Sequence, residues 1–338
     1  MSAAVHNGGD IKTYRIHRPK IVVIGGGTGL PVVIKNLANE SVDLTAIVTV
    51  ADDGGSSGKI RTSLNMMPPG DLRNVMVAMS DMPKFYEELF QYRFQKDPTF
   101  LGGHSLGNIL IAAISEMKDS TYDAIQILSQ MLQCKGKVLP VSEQALTLIG
   151  TFDDGSEVAG ESQIAHHKGI LKSVKVVPTY DHDEVKAARG VVRAIEEADL
   201  IIMGPGSLYT SILPNLVIPE VKAAMHKTKA KKMYICNIMT QKGETEEFTD
   251  CHHAKVINEH MGAHTIDVAL VNTKEIPTDY EVTKKRDEYL VQVTHDPQSF
   301  NEQQIELIAD DFTKLKDGGI YHNGAKLVDT ILDYLGVD

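Results

Sequence analysis

The feature that most constrains the fold is a run of four β-branched apolar residues, Ile21–Ile24, which is followed at once by a glycine cluster. Such a run is typical of a strand that is buried on both faces of a parallel sheet. Residues 30–39 then have helical apolar spacing, and Leu44–Val50 is a second strand of the same kind. This order of strand, loop, helix and strand predicts an α/β fold with a Rossmann-like, doubly wound and mostly parallel sheet.

The rest of the chain divides into three further parts. Residues 71–133 are expected to form a helical block, because four segments there have apolar residues at helical spacing. Residues 138–178 are expected to form a small antiparallel insertion, since Asp153–Ser156 is a hairpin turn signal between two strand-like segments. The alternation of helices and strands then resumes, with helices expected at Asp183–Ala198, Asp250–Met261 and Ala325–Leu335 and strands at Leu200–Met203, Met233–Ile238 and Ile266–Val271.

These parts predict the domain organisation. Residues 1–19 are expected to be a flexible N-terminal arm, because they carry charges but no apolar stretch of the signal-peptide kind. Residues 20–272 are expected to form one nucleotide-binding α/β domain that contains the antiparallel insertion. The weaker pattern of residues 273–338 predicts a C-terminal extension that packs on the same domain.

Composition excludes several classes of protein. Lys and Arg number 34 and Asp and Glu number 45, so the formal net charge is −11. This balance argues against broad nucleic-acid binding, which needs a basic surface. No apolar stretch approaches the roughly 18 residues of a membrane helix, so no membrane span is expected. The three cysteines form no CxxC pair and are too few for a disulfide scaffold, which predicts a reducing, cytoplasmic location.

The first glycine loop, Gly25–Gly29, lies between the first strand and the first helix. Glycines there allow a tight turn and a close approach of an anion to the backbone, and the following helix directs its N-terminal N–H groups at that anion. Thr28 adds a hydroxyl donor. The loop departs from the dinucleotide pattern GxGxxG because Leu30 replaces the last glycine, so a NAD-specific site is disfavoured. The alternative is a tight turn that binds no ligand.

A second loop, Asp52–Lys59, follows the second strand. It does not match the Walker A motif, because Asp53 and Ile60 stand where that motif needs glycine and a hydroxyl residue. Adjacent carboxylates at the end of a parallel strand can accept hydrogen bonds from a ribose or hold a Mg²⁺ ion shared with phosphates. The alternative is that Asp52 and Asp53 only cap the following turn.

Three later polar loops follow the same logic. They are Gly103–Asn108, Gly204–Ser211 with the nearby Asn215, and Asn237–Thr245. In an open parallel sheet, ligands bind beyond the carboxyl ends of the strands, so these loops are expected to line one cleft with the first two. Ser105 is predicted to be a helix N-cap rather than a nucleophile, because no triad spacing surrounds it. The histidines and cysteines show no metal-ligand spacing.

Six ordered blocks together resemble a known family. They are GGGTGL at 25–30, VTVADDGGSSG at 48–58, PPGDLRN at 68–74, GHSLGN at 103–108, GPGSLYTS at 204–211 and NIMTQKGET at 237–245. These blocks are similar to those of the YvcK-type gluconeogenesis factors, which are relatives of CofD, the 2-phospho-L-lactate transferase. The resemblance covers roughly residues 20–272, and no block of the family is found after Glu275.

The resemblance implies a Rossmann-like fold with a nucleotide cleft. It implies a regulator that binds a nucleotide sugar such as UDP-N-acetylglucosamine, or a nucleoside diphosphate, and controls carbon metabolism, cell shape and wall synthesis on gluconeogenic carbon sources. Asp52 and Asp53 are also the candidate ligands of a Mg²⁺ ion bound with the nucleotide, and no catalytic residue is assigned. The predicted ligand-binding residues are Gly25, Gly26, Gly27, Thr28, Gly29, Asp52, Asp53, Gly54, Arg73, Asn74, Gly107, Asn108, Gly204, Gly206, Ser207, Tyr209, Thr210, Asn215 and Gln241.

Two other functions stay open from the sequence. One is a CofD-like, Mg²⁺-dependent transferase, because phosphoryl and phosphodiester transfer need positioning and a metal rather than a dedicated nucleophile. The other is a NAD-dependent oxidoreductase, which Leu30 disfavours. A departure from the family is Tyr321, which stands where a basic residue is expected in relatives. A protein partner or a homodimer is a further expectation, since the helical block carries Phe85, Phe90 and Phe94.

Overall fold

The computed structural model describes residues 2–5, 12–15, 18–96, 101–180, 183–278, 280 and 289–337. The strands are β1 (Ser2–Val5), β2 (Lys12–Arg15), β3 (Lys20–Gly25), β4 (Asp43–Val48), β5 (Lys137–Pro140), β6 (Leu146–Phe152), β7 (Glu157–Ala159), β8 (Leu171–Pro178), β9 (Leu200–Met203), β10 (Lys231–Ile235), β11 (Met239–Gln241), β12 (Val268–Asn272), β13 (Tyr289–Gln292), β14 (Glu306–Asp310), β15 (Thr313–Lys316) and β16 (Gly319–His322). The helices are α1 (Leu30–Leu37), α2 (Gly55–Leu64), α3 (Gly70–Met79), α4 (Lys84–Gln91), α5 (Leu106–Lys118), α6 (Thr121–Met131), α7 (Glu161–Ile164), α8 (Val191–Glu196), α9 (Leu213–Leu216), α10 (Pro219–Lys227), α11 (Asp250–Met261), α12 (Pro297–Glu302) and α13 (Gly324–Leu335).

Seven parallel strands form the central sheet, in the order β14-β12-β10-β9-β3-β4-β5. β3 lies between β4 and β9, with Ile24 opposite Ile47 of β4 and Met203 of β9. The chain runs outward from β3 in one direction through β4 and β5, and in the other through β9, β10, β12 and β14. The direction of winding therefore reverses between β3 and β9, and the prediction of a Rossmann-like, doubly wound sheet is confirmed.

The antiparallel insertion is a separate three-stranded sheet in the order β7-β6-β8, with the short helix α7 after β7. Residues 153–156 make its hairpin turn, where Gly155 has a φ of 82°. The insertion begins after Pro140 rather than at Val138, because Lys137–Pro140 pairs with β4 and is the edge strand of the central sheet.

Two helices differ from the sequence prediction. α2 begins at Gly55, inside the segment predicted to be a loop, and α8 spans only Val191–Glu196 instead of starting at Asp183. Gly190 precedes α8 with a φ of 87°, a backbone conformation that cannot continue a helix on its N-terminal side. The residues between Asp183 and Gly190 are not helical.

The C-terminal part of the chain contributes to the central sheet. β14 pairs in parallel with β12. Helix α13 begins after Asn323, whose side chain caps it as predicted, and buries Leu327, Val328 and Ile331. Of residues 1–19, the structure describes β1 and β2, which pair with each other in antiparallel fashion, and residues 18–19. Among the residues that the structure describes, no helix is long and apolar enough to cross a membrane.

Candidate functional site

The loops that follow β3 and β9 meet at the point where the winding of the sheet reverses. A β-carbon on Gly29 would lie 2.7 Å from the carbonyl oxygen of Pro205, and one on Gly206 would lie 3.2 Å from the carbonyl oxygen of Gly26. Only glycine allows the two backbones to approach this closely. The predicted residues of Gly25–Gly29 and Gly204–Ser207 therefore lie together, at the place where doubly wound folds bind ligands.

The first loop presents backbone to the cleft. Gly27 has a φ of 67° and its N–H donates to Asp71 Oδ2 at 2.6 Å. A β-carbon on Gly26 would lie 2.5 Å from Thr49 Cγ2. Thr28 is exposed at the tip of the loop, and α1 begins directly afterwards without a side-chain cap at Gly29. An N-terminus that no side chain caps can bind an anionic group of a ligand.

Buried side chains support the loop after β9. Gly204–Pro205 is a cis peptide, and residues 208–212 form a π-helical turn in which Ser207 caps the N–H of Thr210. Asn215 is fully buried, and its Nδ2 donates to the carbonyl oxygen of Ser211 at 2.8 Å and approaches that of Gly25 at 3.4 Å. It thus braces both loops from beneath the surface.

Two further members of this loop are also buried. Tyr209 is 1% exposed and packs edge-on against Phe248 and His260, and burial raises the pKa of its hydroxyl. Thr210 is 3% exposed, and its hydroxyl donates to Ser207 Oγ at 2.8 Å. Ser207 in turn donates a hydrogen bond to Glu244. This bond links the loop after β9 to the residues that follow β11.

Asp52 and Asp53 have different partners although they are adjacent. Asp52 Oδ1 accepts the N–H of Gly54 at 2.8 Å, and burial raises the pKa of its carboxyl group. Asp53 Oδ1 accepts the N–H of Ser162 at 3.0 Å and its hydroxyl at 2.7 Å. Asp52 therefore belongs to its own loop, whereas Asp53 anchors the antiparallel insertion beside the cleft.

Three acidic residues that were not predicted complete this side of the site. Asp71 is held by Gly27, and burial together with Asp52 raises the pKa of its carboxyl group to about 6. Glu161 is the first residue of α7, and burial together with the charges of Asp52, Asp71 and Glu244 raises the pKa of its carboxyl group well above the usual value. We call the four side chains Asp52, Asp71, Glu161 and Glu244 the acid wall.

A second cluster of polar side chains is built around Arg73. Arg73 is 5% exposed, and its guanidinium donates to Ser105 Oγ, to Asn108 Oδ1 at 2.7 Å and to Asn74 Oδ1 at 2.8 Å. Burial and the nearby charge of Arg93 lower the pKa of Arg73 to about 10. The predicted residues Arg73, Asn74 and Asn108 thus lie together.

The start of α5 belongs to the same cluster around Arg73. A β-carbon on Gly107 would lie 2.7 Å from Arg73 Cδ, so this glycine lets α5 approach α3. Asn108 Nδ2 donates to Ser56 Oγ at 3.1 Å, and Ser56 contacts His104 Nδ1 at 2.9 Å. Ser105 caps α5 by accepting the N–H of Asn108, which confirms the predicted N-cap.

Gln241 is joined to the second glycine loop through Asn237, which was not predicted as a site residue. Asn237 Nδ2 donates to the carbonyl oxygen of Gly206 at 2.8 Å and to Gln241 Oε1 at 3.2 Å, and its Oδ1 accepts the N–H of Gly206 at 3.2 Å. The end of β10 is thereby fixed against the loop after β9.

Tyr321 is 41% exposed, next to His322, whose Nε2 donates to the carbonyl oxygen of Cys236 at 3.0 Å.

The described residues contain no group of three or more His, Cys, Asp or Glu side chains placed to bind one metal ion. Asp53, one of the two predicted Mg²⁺ ligands, already accepts two hydrogen bonds from Ser162 through Oδ1. Mg²⁺ commonly binds through one or two carboxylates together with phosphates and water. Asp53 is therefore held by the insertion, and a Mg²⁺ ion at this loop would take one protein carboxylate, that of Asp52, and its other ligands from phosphate and water.

Comparison with known proteins identifies the family. Residues 21–313 match the family model described as 2-phospho-L-lactate transferase CofD, which extends the resemblance beyond the residues 20–272 seen from the blocks. A Listeria innocua protein named "Gluconeogenesis factor" is 46% identical over 318 residues, which cover 94% of this chain and 96% of that protein. A Lactococcus lactis relative whose name also contains "gluconeogenesis factor" is 56% identical over 314 residues. These residues cover 93% of this chain and 96% of the relative.

Solved structures agree with these sequences. Two crystal structures of a Bacillus halodurans protein each superpose with a TM-score of 0.88, at 41% and 40% identity, and cover 94% and 93% of this chain and 100% of those chains. The names of the relatives and the family model support a role related to carbon metabolism. The chain therefore belongs to the CofD family, among the gluconeogenesis factors of the YvcK type.

Proposed function

We propose that this protein binds a nucleotide sugar of the UDP-N-acetylglucosamine kind in the cleft between β3 and β9. In this proposal the protein regulates carbon metabolism, cell shape and wall synthesis during gluconeogenic growth. The observation that carries the proposal is the backbone-to-backbone contact of Gly25–Gly29 with Gly204–Ser207 at the uncapped N-terminus of α1. A diphosphate fits such a cradle because backbone N–H groups and the positive end of a helix dipole both favour anions.

The two sides of the cleft suit the two ends of such a ligand. The acid wall consists of hydrogen-bond acceptors, which suit the hydroxyl groups of a ribose or a sugar. The cluster built around Arg73 supplies positive charge, which suits phosphate oxygens, while the guanidinium hydrogens hold Asn74 and Asn108 in place. We propose that a Mg²⁺ ion binds to Asp52 together with the diphosphate of the ligand. This division supports a ligand that carries both an anionic centre and a neutral, hydroxyl-rich end.

A regulator acts on another molecule, and the surface of α4 supports a protein partner or a homodimer. Phe85 is 65% exposed, Tyr86 is 40% exposed and Tyr92, just after the helix, is 53% exposed. Clustered exposed aromatic side chains are typical of interaction surfaces. The proposed location is the cytoplasm, which the three free cysteines support.

Calorimetric titration with UDP-N-acetylglucosamine, GDP and NAD⁺, each with and without Mg²⁺, tests the proposal. We expect the UDP sugar to bind and to be recovered unaltered after long incubation. Thr28→Ala should weaken this binding by roughly tenfold, because it removes a hydroxyl donor from the glycine loop. Thr330→Ala, on α13, is the matched control and should bind like the wild type. No binding of any uridine nucleotide would remove the proposal.

The same titration distinguishes the regulator from the alternative of a CofD-like transferase, the activity that the description of the family model names. Preference for GDP with Mg²⁺, together with retention of the protein on a deazaflavin matrix, would support the transferase. In cells, a gene deletion should slow growth on gluconeogenic carbon sources and alter cell shape. Wild-type protein should restore both, and Thr28→Ala should not.

A further inference from the structure

The side chain of Asn237 pairs with the backbone of Gly206 in the way that a neighbouring strand would. Its Oδ1 accepts the N–H of Gly206 at 3.2 Å, and its Nδ2 donates to the carbonyl oxygen of Gly206 at 2.8 Å. A backbone N–H only donates and a carbonyl oxygen only accepts, so these two contacts fix which end of the amide is Oδ1 and which is Nδ2. The side chain thereby holds the peptide groups on both sides of Gly206.

The orientation of Gly206 matters because its loop lies against the loop after β3. The peptide group that carries the N–H of Gly206 also carries the carbonyl oxygen of Pro205, and a β-carbon on Gly29 would lie 2.7 Å from that oxygen. A β-carbon on Gly206 would itself lie 3.2 Å from the carbonyl oxygen of Gly26. A rotation of this peptide group would therefore change the fit between the two loops that form the proposed diphosphate site.

Both amide hydrogens of Asn237 are used within the protein. Besides its bond to Gly206, Nδ2 donates to Gln241 Oε1 at 3.2 Å. Gln241 is buried, and its own N–H donates to Thr245 Oγ1 at 2.9 Å. The amide of Asn237 is thus fixed from the side of β11 and directed at Gly206. These contacts are those of a residue that shapes the loop, rather than of one that touches the ligand.

We propose that Asn237 is a positioning residue of the cleft, which holds the peptide groups of Gly206 so that the loop after β9 keeps the shape that binds a diphosphate. The inference rests on the proposed function for the identity of the ligand, whereas the support of Gly206 is measurable without any ligand. Asn237 follows β10, so the site is assembled from the ends of three adjacent strands, β10, β9 and β3.

Asn237→Asp tests this role because aspartate has the shape of asparagine but a different set of donors. At pH 8 the ionised carboxylate only accepts, so it faces the carbonyl oxygen of Gly206 and the side-chain oxygen of Gln241 without a hydrogen to share. A protonated carboxyl group has one donor and one acceptor, like the amide. Acid should therefore restore the contact, since the protonated form bonds to Gly206 and the ionised form is repelled.

Calorimetry with UDP-N-acetylglucosamine at pH 8, 6.5 and 5 measures the effect, with the wild type at the same pH as reference. Asn237→Asp should bind about tenfold more weakly than the wild type at pH 8 and less than about threefold more weakly at pH 5. Asn237→Ala, which lacks both amide groups, should bind about tenfold more weakly at every pH. Recovery in acid by the aspartate variant alone separates the paired contact from a general loss of packing.

Asn301→Asp is the matched control. Asn301 is exposed on α12, so the same substitution adds the same charge away from the glycine loops and should leave the affinity unchanged at each pH. Thermal unfolding of every variant at each pH checks that it is folded. Hydrogen–deuterium exchange without ligand should be faster in residues 204–211 of Asn237→Asp than of the wild type at pH 8, and the two should converge at pH 5.

Two results would overturn the inference and leave the proposed function standing. One is an Asn237→Asp protein that binds the nucleotide sugar as tightly as the wild type at pH 8. The other is a loss of affinity in this variant that is the same at pH 5 as at pH 8. If the folded wild type binds no nucleotide sugar, the proposed function fails, and the exchange experiment decides the inference alone: equal exchange in residues 204–211 at pH 8 would show that Asn237 does not hold the loop.

Discussion

His253 is a buried imidazole that cannot take a proton without loss of stability. It is fully buried in α11, and its Nδ1 lies 2.8 Å from the carbonyl oxygen of Thr249. A carbonyl oxygen only accepts, so Nδ1 carries the hydrogen, and Nε2 has no partner among the described residues. Burial lowers the pKa of His253 to about 4.

The lowered pKa predicts a loss of stability in mild acid. The unfolded chain protonates this histidine near pH 6.5 and the folded chain near pH 4, so the free energy of unfolding falls as the pH drops through that window. The loss should be about 2 kcal/mol at pH 5. His253→Leu should be less stable than the wild type at pH 8 by about 1 kcal/mol, through the lost hydrogen bond.

Urea unfolding at pH 8, 6.5 and 5 measures this effect. The difference in unfolding free energy between pH 8 and pH 5 should be smaller in His253→Leu than in the wild type by about 2 kcal/mol. An identical pH dependence in the two proteins would show that the buried ring is not the group that titrates.

At the scale of single residues, the sequence predicted backbone roles better than side-chain roles. The glycines of Gly25–Gly29 could be predicted, because a tight turn between a strand and a helix is a local requirement. The different partners of Asp52 and Asp53 could not, since Ser162 is 109 residues away from Asp53. Asp71 lies in the PPGDLRN block, which is one of the six blocks that resemble the family. Glu161 lies in none of these blocks, so no sequence motif points to it.

Among the secondary structure elements, α2 shows why a helix can be missed. Its sequence, GSSGKIRTSL, begins with glycines and serines, which have low helix propensity and favour turns. Tertiary contacts hold it instead: a β-carbon on Gly70 of α3 would lie 2.2 Å from Ser57 Oγ of α2. The strands β3, β4 and β9 could be predicted because each is a short apolar run next to glycine or acidic turn residues.

Arg61 joins α2 to two other elements. Its Nη1 donates to the carbonyl oxygens of Ala51 and Asp52 at 3.2 Å each, and its Nη2 donates to the hydroxyls of Thr147 at 3.0 Å and Thr179 at 2.6 Å. The guanidinium, which is 5% exposed, thus ties the second strand loop to both ends of the antiparallel insertion.

Arg61→Met should therefore destabilise the protein and loosen the insertion. Four acceptors, one buried and three half-buried, lose their donor, so we expect a loss of roughly 3 kcal/mol in unfolding free energy. Hydrogen–deuterium exchange should increase in residues 146–179. Arg193→Met is the matched control, because Arg193 is exposed and pairs with Glu197 at 2.7 Å, so its loss should leave the unfolding free energy nearly unchanged. Equal effects of the two variants would contradict the bridging role of Arg61.

Across the whole molecule, the two ends of the described fold support each other. Helix α13 packs on α1, the helix that follows the first glycine loop, and a β-carbon on Gly324 would lie 2.6 Å from the carbonyl oxygen of Val32. This contact joins residues almost 300 positions apart, and a pattern of short periodicity carries no information about such pairs. The sequence did predict α13 itself, from its apolar spacing and from Asn323.

Truncation after Asn323 should weaken the site as well as the fold. Leu327, Val328 and Ile331 would lose their buried positions, at a cost of roughly 5 kcal/mol, which is comparable with the whole stability of many domains. We expect a much lower melting temperature. We also expect weaker binding of nucleotide sugar, because the first glycine loop, which is the proposed anion site, leads directly into α1. Removal of the last two residues alone is the control. A truncated protein that melts like the wild type would contradict the support of α1 by α13.

The antiparallel insertion leaves the central sheet after Pro140, and its three strands pair only with one another. Its residues can therefore change during evolution without shifting the register of the seven parallel strands. A lineage could acquire a new ligand preference by replacing this one stretch, while the glycine loops stay the same. Exchange of the insertion between distant relatives would make chimeras in which the donor of the insertion, rather than the donor of the sheet, decides which sugar is accepted.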